Sequence, residues 1–199
     1  MCEICAMLGL KMATDPRWVN IAEKSIEEIL TDHAFCEQKA ASSGISLIVR
    51  YPERTEMVEE VTAVVAEEWG HFRKVLKELN KRGHSLGPQR KDEYVGALLK
   101  VKKHSNDRDK NLVEDLLVCA MIEARSCERF RLLSLHISDP ALKSFYHEFM
   151  VSEAGHYRMF LDLACKYRPE AEVKVRWQEF LDAEAAILAA MELRGDRMH

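Results

Sequence analysis

The sequence has few of the residues that mark tight turns, and no segment long and apolar enough to cross a membrane. Its 199 residues include five prolines and eight glycines, which is few for an all-β protein with its many turns. No uninterrupted apolar run approaches the roughly 20 residues of a membrane-spanning helix. Ala, Glu, Leu, Lys and Arg are abundant and favour helix. We therefore expect an all-α protein that does not enter a membrane.

The cysteines do not follow a metal-binding pattern. Cys2 and Cys5 form a CxxC motif, but a zinc knuckle or a rubredoxin-like site needs a second pair, and none exists among the six cysteines. We expect this motif to be inert. The N-terminal stretch MCEICAMLGLKM has an acid before a short apolar segment, unlike a signal peptide. These features predict a cytoplasmic protein with reduced thiols.

Apolar residues recur at alternating spacings of three and four, as in the helices of a bundle. The length favours one domain, residues 1–199. The predicted elements are a helix from Thr14-Asp15-Pro16 to Arg50-Tyr51-Pro52, a second ending at Gly83, a short helical piece around Asp92 to His104, two helices separated by Ser138-Asp139-Pro140, and a fifth from Glu170 to Arg194. This order predicts two helical hairpins joined by a long crossover, with an extra C-terminal helix.

Six ionisable residues occupy helix positions that are otherwise apolar. A buried, unpaired carboxylate is very costly, and several at one level repel each other unless cations neutralise them. A bound metal is the simplest explanation. The residues are Glu37, Glu68, His71, Glu123, Glu153 and His156.

Their spacing also fits a metal site. Glu37 precedes the first hairpin turn by about as many residues as separate Glu68 from it, and Glu123 and Glu153 flank the second turn in the same way. Each hairpin therefore brings two glutamates face to face. Residues i and i+3 share a helix face, so His71 lies beside Glu68. One Glu from each of two helices plus Glu-x-x-His from each of two others is the di-iron ligand set of four-helix bundles.

The two Glu-x-x-His motifs lie in similar stretches, EEWGHFRK (67–74) and SEAGHYRM (152–159). Both carry a glycine, Gly70 or Gly155, immediately before the histidine. Glycine is unfavourable inside a helix by roughly 1 kcal/mol relative to alanine. Close approach of another helix, local loosening beside a metal, and chance are all compatible with the pattern.

Two further sets of residues have both a structural and a functional interpretation. His33 lies one turn before Glu37 and is either a core histidine or a partner of the metal ligands. Arg125 lies near Glu123 and is either a surface residue or part of the lining of the site. The segment 81–110 has nine Lys or Arg and four acids, which gives it a net charge of +5. This charge is compatible with a solvated loop or with a contact surface for a polyanion. Its candidate contacts are Arg90, Lys91, Lys100, Lys102 and Lys103.

At these residues the chain resembles the non-haem di-iron tRNA hydroxylases of the MiaE type, which act on 2-methylthio-N6-isopentenyl adenosine beside the anticodon. The similarity covers most of residues 8–185. It is carried by TDPRWV (14–19), DHAFCEQKAAS (32–42), EEWGHF (67–72), RKDEYV (90–95), IEARSCERF (122–130) and SEAGHY (152–157).

The resemblance implies a ferritin-like fold, two iron ions held by the same six residues, and O2-dependent hydroxylation of the isopentenyl side chain of tRNA. The sequence has no flavin or nicotinamide motif, so we expect electrons to come from an external reductase. We expect a monomer. The alternatives are another ferritin-like di-iron oxidase or peroxidase, and a non-catalytic tRNA-binding helical bundle whose carboxylates form ion pairs.

Overall fold

The computed structural model describes residues 3–199, and within that range the chain is helical and contains no strand. This described range has eight α-helices. They are α1 (Glu3–Leu8), α2 (Arg17–Ala22), α3 (Ile26–Arg50), α4 (Thr55–Lys81), α5 (Glu93–Leu99), α6 (Arg108–His136), α7 (Pro140–Tyr167) and α8 (Glu170–Ala190). The prediction of an all-α protein is confirmed. None of the described helices is long and apolar enough to cross a membrane.

The described chain divides into two compact units. The α3–α4 unit consists of Arg17–Lys91 and Arg194–Met198, and the α6–α7 unit consists of residues 3–16, 92–193 and 199. Each unit is built on one hairpin of long helices, as the apolar spacing predicted. The single domain expected from chain length stays a prediction. Cys2 lies outside the described residues, whereas Cys5 is buried in the α6–α7 unit.

In the α3–α4 unit, two helices of 25 and 27 residues run antiparallel. The turn between them begins at Tyr51, whose N–H donates to the carbonyl of Leu47 and closes α3. Gly44 permits a close approach of the helices, because a Cβ there would lie 2.5 Å from Cγ2 of Val65. The apolar positions of both helices face this contact, so the polar residues interspersed among them are buried as well.

The first predicted helix is interrupted, which corrects the continuous helix expected from Pro16 to Arg50. Residues Glu23–Ser25 form a 3-10 turn, and Ser25 has φ −137° and ψ 54°, outside the helical region. The break lets α2 adopt its own direction. Trp18 on α2 is fully buried and donates from Nε1 to the carbonyl of Arg194, 2.9 Å away. That contact ties α2 to the chain's C-terminal segment.

In the α6–α7 unit, Asp139 ends the turn and caps α7 by accepting from the N–H groups of Ala141 and Leu142. Pro140 occupies the first helical position, where its missing N–H costs nothing. Aromatic residues from both helices form the core nearby, with the Phe130 ring centroid 5.7 Å from that of Tyr146. The 29-residue α6 is the most extensively buried helix of this unit.

The remaining elements differ slightly in extent from the predictions. The crossover between α4 and α6 contains the short helix α5, Glu93–Leu99, within the predicted range. Helix α8 ends at Ala190 rather than at Arg194. The chain leaves the helix because Arg194–Met198 packs in the α3–α4 unit, where a Cβ at Gly195 would lie 2.6 Å from the backbone of Ile21. A residue larger than glycine at position 195 would therefore collide with the backbone of Ile21.

Candidate metal centre

The α3–α4 unit places three of the predicted ligands together. Glu37 lies on α3, and Glu68 and His71 lie on α4, with 4%, 1% and 4% of their surfaces exposed. The Nδ1 atom of His71 is 3.3 Å from Oε2 of Glu37 and 3.7 Å from Oε2 of Glu68. The antiparallel hairpin produces this meeting because the two helices place these residues at the same distance from the turn. We refer to these three residues as the first triad.

The charges of the first triad are strongly perturbed by burial. Burial, followed by repulsion from Glu68, raises the pKa of Glu37 well above its usual value. Burial alone would lower the pKa of His71, but the carboxylates of Glu37 and Glu68 outweigh it and raise the pKa to about 10. Proton binding by His71 is thus favoured by the nearby carboxylates. A metal cation would offset the same carboxylates and release that proton.

The α6–α7 unit contains the second triad. Glu123 lies on α6, and Glu153 and His156 lie on α7; all three are at least 95% buried. One ligand atom from each of the three lies within 4.8 Å of the others. The arrangement matches that of the first triad: one helix supplies a carboxylate, and the other supplies a carboxylate and an imidazole three residues apart.

The donor chemistry of both triads fits iron. Each offers two carboxylates and one imidazole, and neither offers a thiolate, which excludes the usual ligand sets of structural zinc. Carboxylates and imidazoles on inward-facing helix positions are the ligands of di-iron proteins with this type of bundle. Burial of four glutamates without cations would be strongly destabilising. The buried clusters therefore have the composition expected of a metal site.

A comparison with protein families now bears directly on these residues. The family model for tRNA-(MS2IO6A)-hydroxylase (MiaE) matches residues 4–199. The chain belongs to the MiaE family. The match spans both triads, so the resemblance inferred from the short motifs is confirmed over nearly the whole chain.

Two relatives of this MiaE-family chain are also named as tRNA hydroxylases. A tRNA 2-(methylsulfanyl)-N(6)-isopentenyladenosine(37) hydroxylase from Pseudomonas putida is 39% identical over 172 residues, which cover 86% of this chain and 81% of that protein. A protein of the same name from Salmonella typhimurium is 25% identical over an alignment covering 96% of this chain and 87% of that protein.

A solved structure supports the fold assignment. Protein 43 with aldehyde deformylating oxygenase activity from Synechococcus superposes with a TM-score of 0.89 and is 31% identical; the match covers 96% of this chain and 94% of that one. The predicted ferritin-like fold is confirmed. The MiaE-family chain thus shares its helical framework with an oxygenase of different named activity.

His33 is the neighbour that contacts the first triad. It is fully buried on α3, and its Nε2 lies 2.7 Å from Oε1 of Glu37. Burial, together with the charge of His71, lowers the pKa of His33 to about 3, so the imidazole is neutral at pH 7. This position agrees with the interpretation of His33 as a partner of a ligand.

Arg125 occupies a buried ion-pair network in the α6–α7 unit. Its guanidinium lies 3.0 Å from Glu128 and 2.7 Å from Glu184, and it donates to the carbonyl of Met12. The network joins α6 to α8 and to the segment before α2. Arg125 is thus neither a surface residue nor free to move, and its proposed support of the metal ligands stays a prediction. Sequence analysis missed Glu184, although it continues the apolar spacing of Val173, Trp177 and Leu181.

The predicted tRNA contacts are distributed over both units and differ in exposure. In the α3–α4 unit, Arg90 forms ion pairs with Glu28 and Asp196, whereas Lys91 is exposed. In the α6–α7 unit, Lys102 pairs with the buried Asp115. The remaining two, Lys100 and Lys103, are exposed, with Lys103 2.5 Å from Glu179.

The two glycines of the repeated motif lie in uninterrupted helix. Residues 70 and 155 are helical on both sides, and no described atom that packs against them lies within 4 Å of a Cβ built at either position. Close approach of a neighbouring helix is therefore excluded as the reason for Gly70 and Gly155, and the helices show no loosening there. The structure gives no physical reason for these glycines.

Proposed function

We propose that this chain hydroxylates the isopentenyl side chain of 2-methylthio-N6-isopentenyl adenosine beside the anticodon of tRNA. The match of the MiaE family model to residues 4–199 carries this proposal. The buried triads support it, because O2-dependent hydroxylation of an allylic carbon needs a redox-active cofactor and each triad has the donors to bind a metal ion.

We assign two iron ions to the six residues of the triads. Glu37, Glu68 and His71 would hold one iron ion, and Glu123, Glu153 and His156 would hold the other. Iron bound there would activate O2 for the oxidation of a C–H bond, with electrons delivered from outside the chain. The protein's own contribution is to hold the ligands in position, to keep water away through the apolar residues around them, and to keep His33 neutral beside Glu37.

The reaction requires an outside source of electrons. Hydroxylation places one oxygen atom of O2 in the product and releases the other as water, which consumes two electrons and two protons beyond those of the C–H bond. The sequence has no flavin or nicotinamide motif to supply them. A separate reductase is therefore part of the proposal, as are a monomeric state and a cytoplasmic location where tRNA is found.

Exposed lysines are the proposed contacts for the tRNA backbone. Lys91, Lys100 and Lys103 are accessible to solvent, whereas Arg90 and Lys102 would contact a phosphate only in exchange for their carboxylate partners. Phosphate contacts position a nucleic acid without reading its sequence. An adenosine in the single-stranded anticodon loop can be splayed out towards a protein pocket.

Product analysis of modified tRNA tests this function. Protein reconstituted anaerobically with ferrous iron is mixed with a chemical reductant, O2 and tRNA that carries the unhydroxylated nucleoside, and the nucleosides are separated by mass spectrometry. The expected product is heavier by one oxygen atom, and labelled O2 delivers the label to it. A Glu153→Ala protein serves as the control. Absence of the product with fully iron-loaded protein would contradict the proposal.

The Synechococcus structure suggests a second candidate, aldehyde deformylation, because its named activity belongs to a chain 31% identical to this one. The same reconstituted protein incubated with the chemical reductant, O2 and a long-chain aldehyde would release formate if this candidate were right. We expect formate only at the level given by the Glu153→Ala control.

A further inference from the structure

One aromatic side chain of the α3–α4 unit is exposed to an unusual degree. Trp69 has 50% of its surface accessible. Every other Phe, Trp and Tyr in the described part of the chain is buried or partly buried. The other two tryptophans, Trp18 and Trp177, are buried. Exposing a large aromatic ring loses the stabilisation that burial would give it. A contact with something outside the chain would recover it.

Trp69 does not stand alone on the helix surface. Its ring centroid lies 4.9 Å from that of Phe72, one turn later on α4, with the planes inclined by 31°. Phe72 is half-buried, so it holds the inner edge of the tryptophan ring while the outer part stays open. The two rings form an aromatic surface, defined here as Trp69 and Phe72.

The aromatic surface lies beside the first triad. Trp69 directly follows Glu68, and Phe72 directly follows His71. Successive residues on an α-helix are rotated by about 100°, so the rings lie on the flank of the same two turns that carry these ligands. A group stacked on Trp69 would therefore lie against the same turns of α4 that carry Glu68 and His71.

The next two turns of α4 are cationic. Arg73, Lys74 and Lys77 are exposed, and residues 69–77 contain no acid, which gives this segment a net charge of +3. Glu67, two residues before Trp69, has a half-exposed carboxylate 3.8 Å from Nε2 of His71. Proteins bind single-stranded nucleic acids through this combination of aromatic rings and cations: the bases stack on the rings, and the phosphates contact the cations.

We propose that Trp69 stacks on an unpaired base of the RNA substrate, with Phe72 supporting its ring and Arg73 and Lys77 contacting the adjacent phosphates. This inference rests on the proposed tRNA-modifying function and adds a specific contact to it. Stacking on an aromatic ring tolerates any base, so the contact provides affinity and orientation beside the first triad rather than sequence selectivity.

Binding of a labelled RNA tests the proposal. The probe is a fluorescein-labelled anticodon stem-loop, titrated with the iron-loaded chain and followed by anisotropy. We expect Trp69→Ala to weaken binding by about 10- to 100-fold, and Trp69→Phe to restore most of the affinity. The matched control is Val49→Ala, which removes another exposed apolar side chain, 71% accessible, from the same unit. Its affinity should equal that of the unchanged protein.

Tryptophan emission gives a second readout that a purely structural role would not change. Stacking on a base should quench the exposed Trp69, and the quenching should disappear in Trp69→Phe, which retains the buried Trp18 and Trp177. Iron content and helicity are measured in parallel and should not differ among the variants.

The outcomes separate this inference from the function on which it rests. If the unchanged protein binds the stem-loop and Trp69→Ala binds it equally well, the stacking contact is wrong while the tRNA function stands. If Trp69→Ala loses only the rate of enzymatic reduction and keeps its RNA affinity, Trp69 contacts a protein partner and the inference is also wrong. If the unchanged protein neither binds nor modifies RNA, both proposals fail.

Discussion

His33 and Glu37 lie one turn apart on α3, with the imidazole Nε2 2.7 Å from a carboxylate oxygen and both side chains buried. The imidazole is neutral at pH 7 because burial and the His71 charge lower the pKa of His33 to about 3. A neutral imidazole in this position limits rotation of the Glu37 carboxylate. Unlike a protonated imidazole, it does not offset the negative charge that a metal ion needs. It thus prepares a carboxylate for a metal ion.

We expect His33→Leu to weaken iron binding by about 10- to 100-fold, the usual effect of removing a residue that orients a metal ligand. The measurement is competition with a coloured iron chelator. His33→Gln, which keeps a polar group on the same side of the helix, should recover part of the affinity. Equal iron affinity in His33→Leu and the unchanged protein would show that His33 is only a core residue.

Replacement of single ligands in the second triad should remove iron without unfolding the chain. We expect Glu123→Ala and His156→Ala to reduce hydroxylation by more than about 100-fold and to lower the iron content measured by elemental analysis, with unchanged helicity by circular dichroism. The control is Glu148→Ala, which removes an exposed glutamate from the same helix as His156. Full turnover by either ligand variant would contradict the assignment.

The glycines of the repeated motif lead to an expectation about stability. Gly70→Ala and Gly155→Ala should each raise the free energy of unfolding by about 0.5–1 kcal/mol, because alanine has less freedom to lose on folding and its Cβ meets open space. Gly44→Ala should lower it by about 1–3 kcal/mol, because its Cβ would lie 2.5 Å from Val65.

Urea unfolding of the three glycine variants measures these differences. A loss of stability in Gly70→Ala would show that α4 needs glycine at this level for a backbone reason. If stability rises and activity falls, the glycine serves the reaction.

Exposed lysines of the α6–α7 unit should contribute to tRNA affinity through charge. We expect the double change Lys100→Glu and Lys103→Glu to weaken tRNA binding and to reduce the slope of log affinity against log salt by about 1–2, since each lost phosphate contact removes close to one unit. The control is Lys174→Glu. Like Lys103, Lys174 is a mostly exposed lysine that pairs with one glutamate of α8.

Unchanged affinity and slope in the double variant would show that this part of the basic segment is a solvated loop. Lys102→Glu should behave differently from both, because it places a second acid beside the buried Asp115 and should reduce stability.

Much of the fold and both triads could be predicted from the sequence, because they depend on local periodicity. A glutamate or histidine at a position that should be apolar stands out in the sequence, and the short hairpin turns determine which residues meet. The break at Ser25 could not be predicted in this way, because Trp18 and Ala22 continue the apolar pattern without interruption. Only the packing of α2 on the C-terminal segment separates it from α3.

Ion pairs between distant residues were the other gap. The sequence shows that Lys102 and Arg90 are basic, but not that Asp115 and Glu28 meet them in the fold. The sequence therefore predicts an accessible cation at each of these two positions. Their partners are fixed by tertiary packing, which composition and spacing do not determine.

The buried contact of Arg125 with Glu184 gives helix α8 a structural role, although α8 carries none of the candidate metal ligands. Arg125 lies two residues from Glu123, in the interior of α6, and the acid on α8 is part of what makes its charge tolerable there. Without α8, a guanidinium would be left in a nonpolar interior short of a counter-ion. The C-terminal helix is thus an electrostatic partner of a ligand-bearing helix, and shortening the chain before Glu184 would disturb α6 from within.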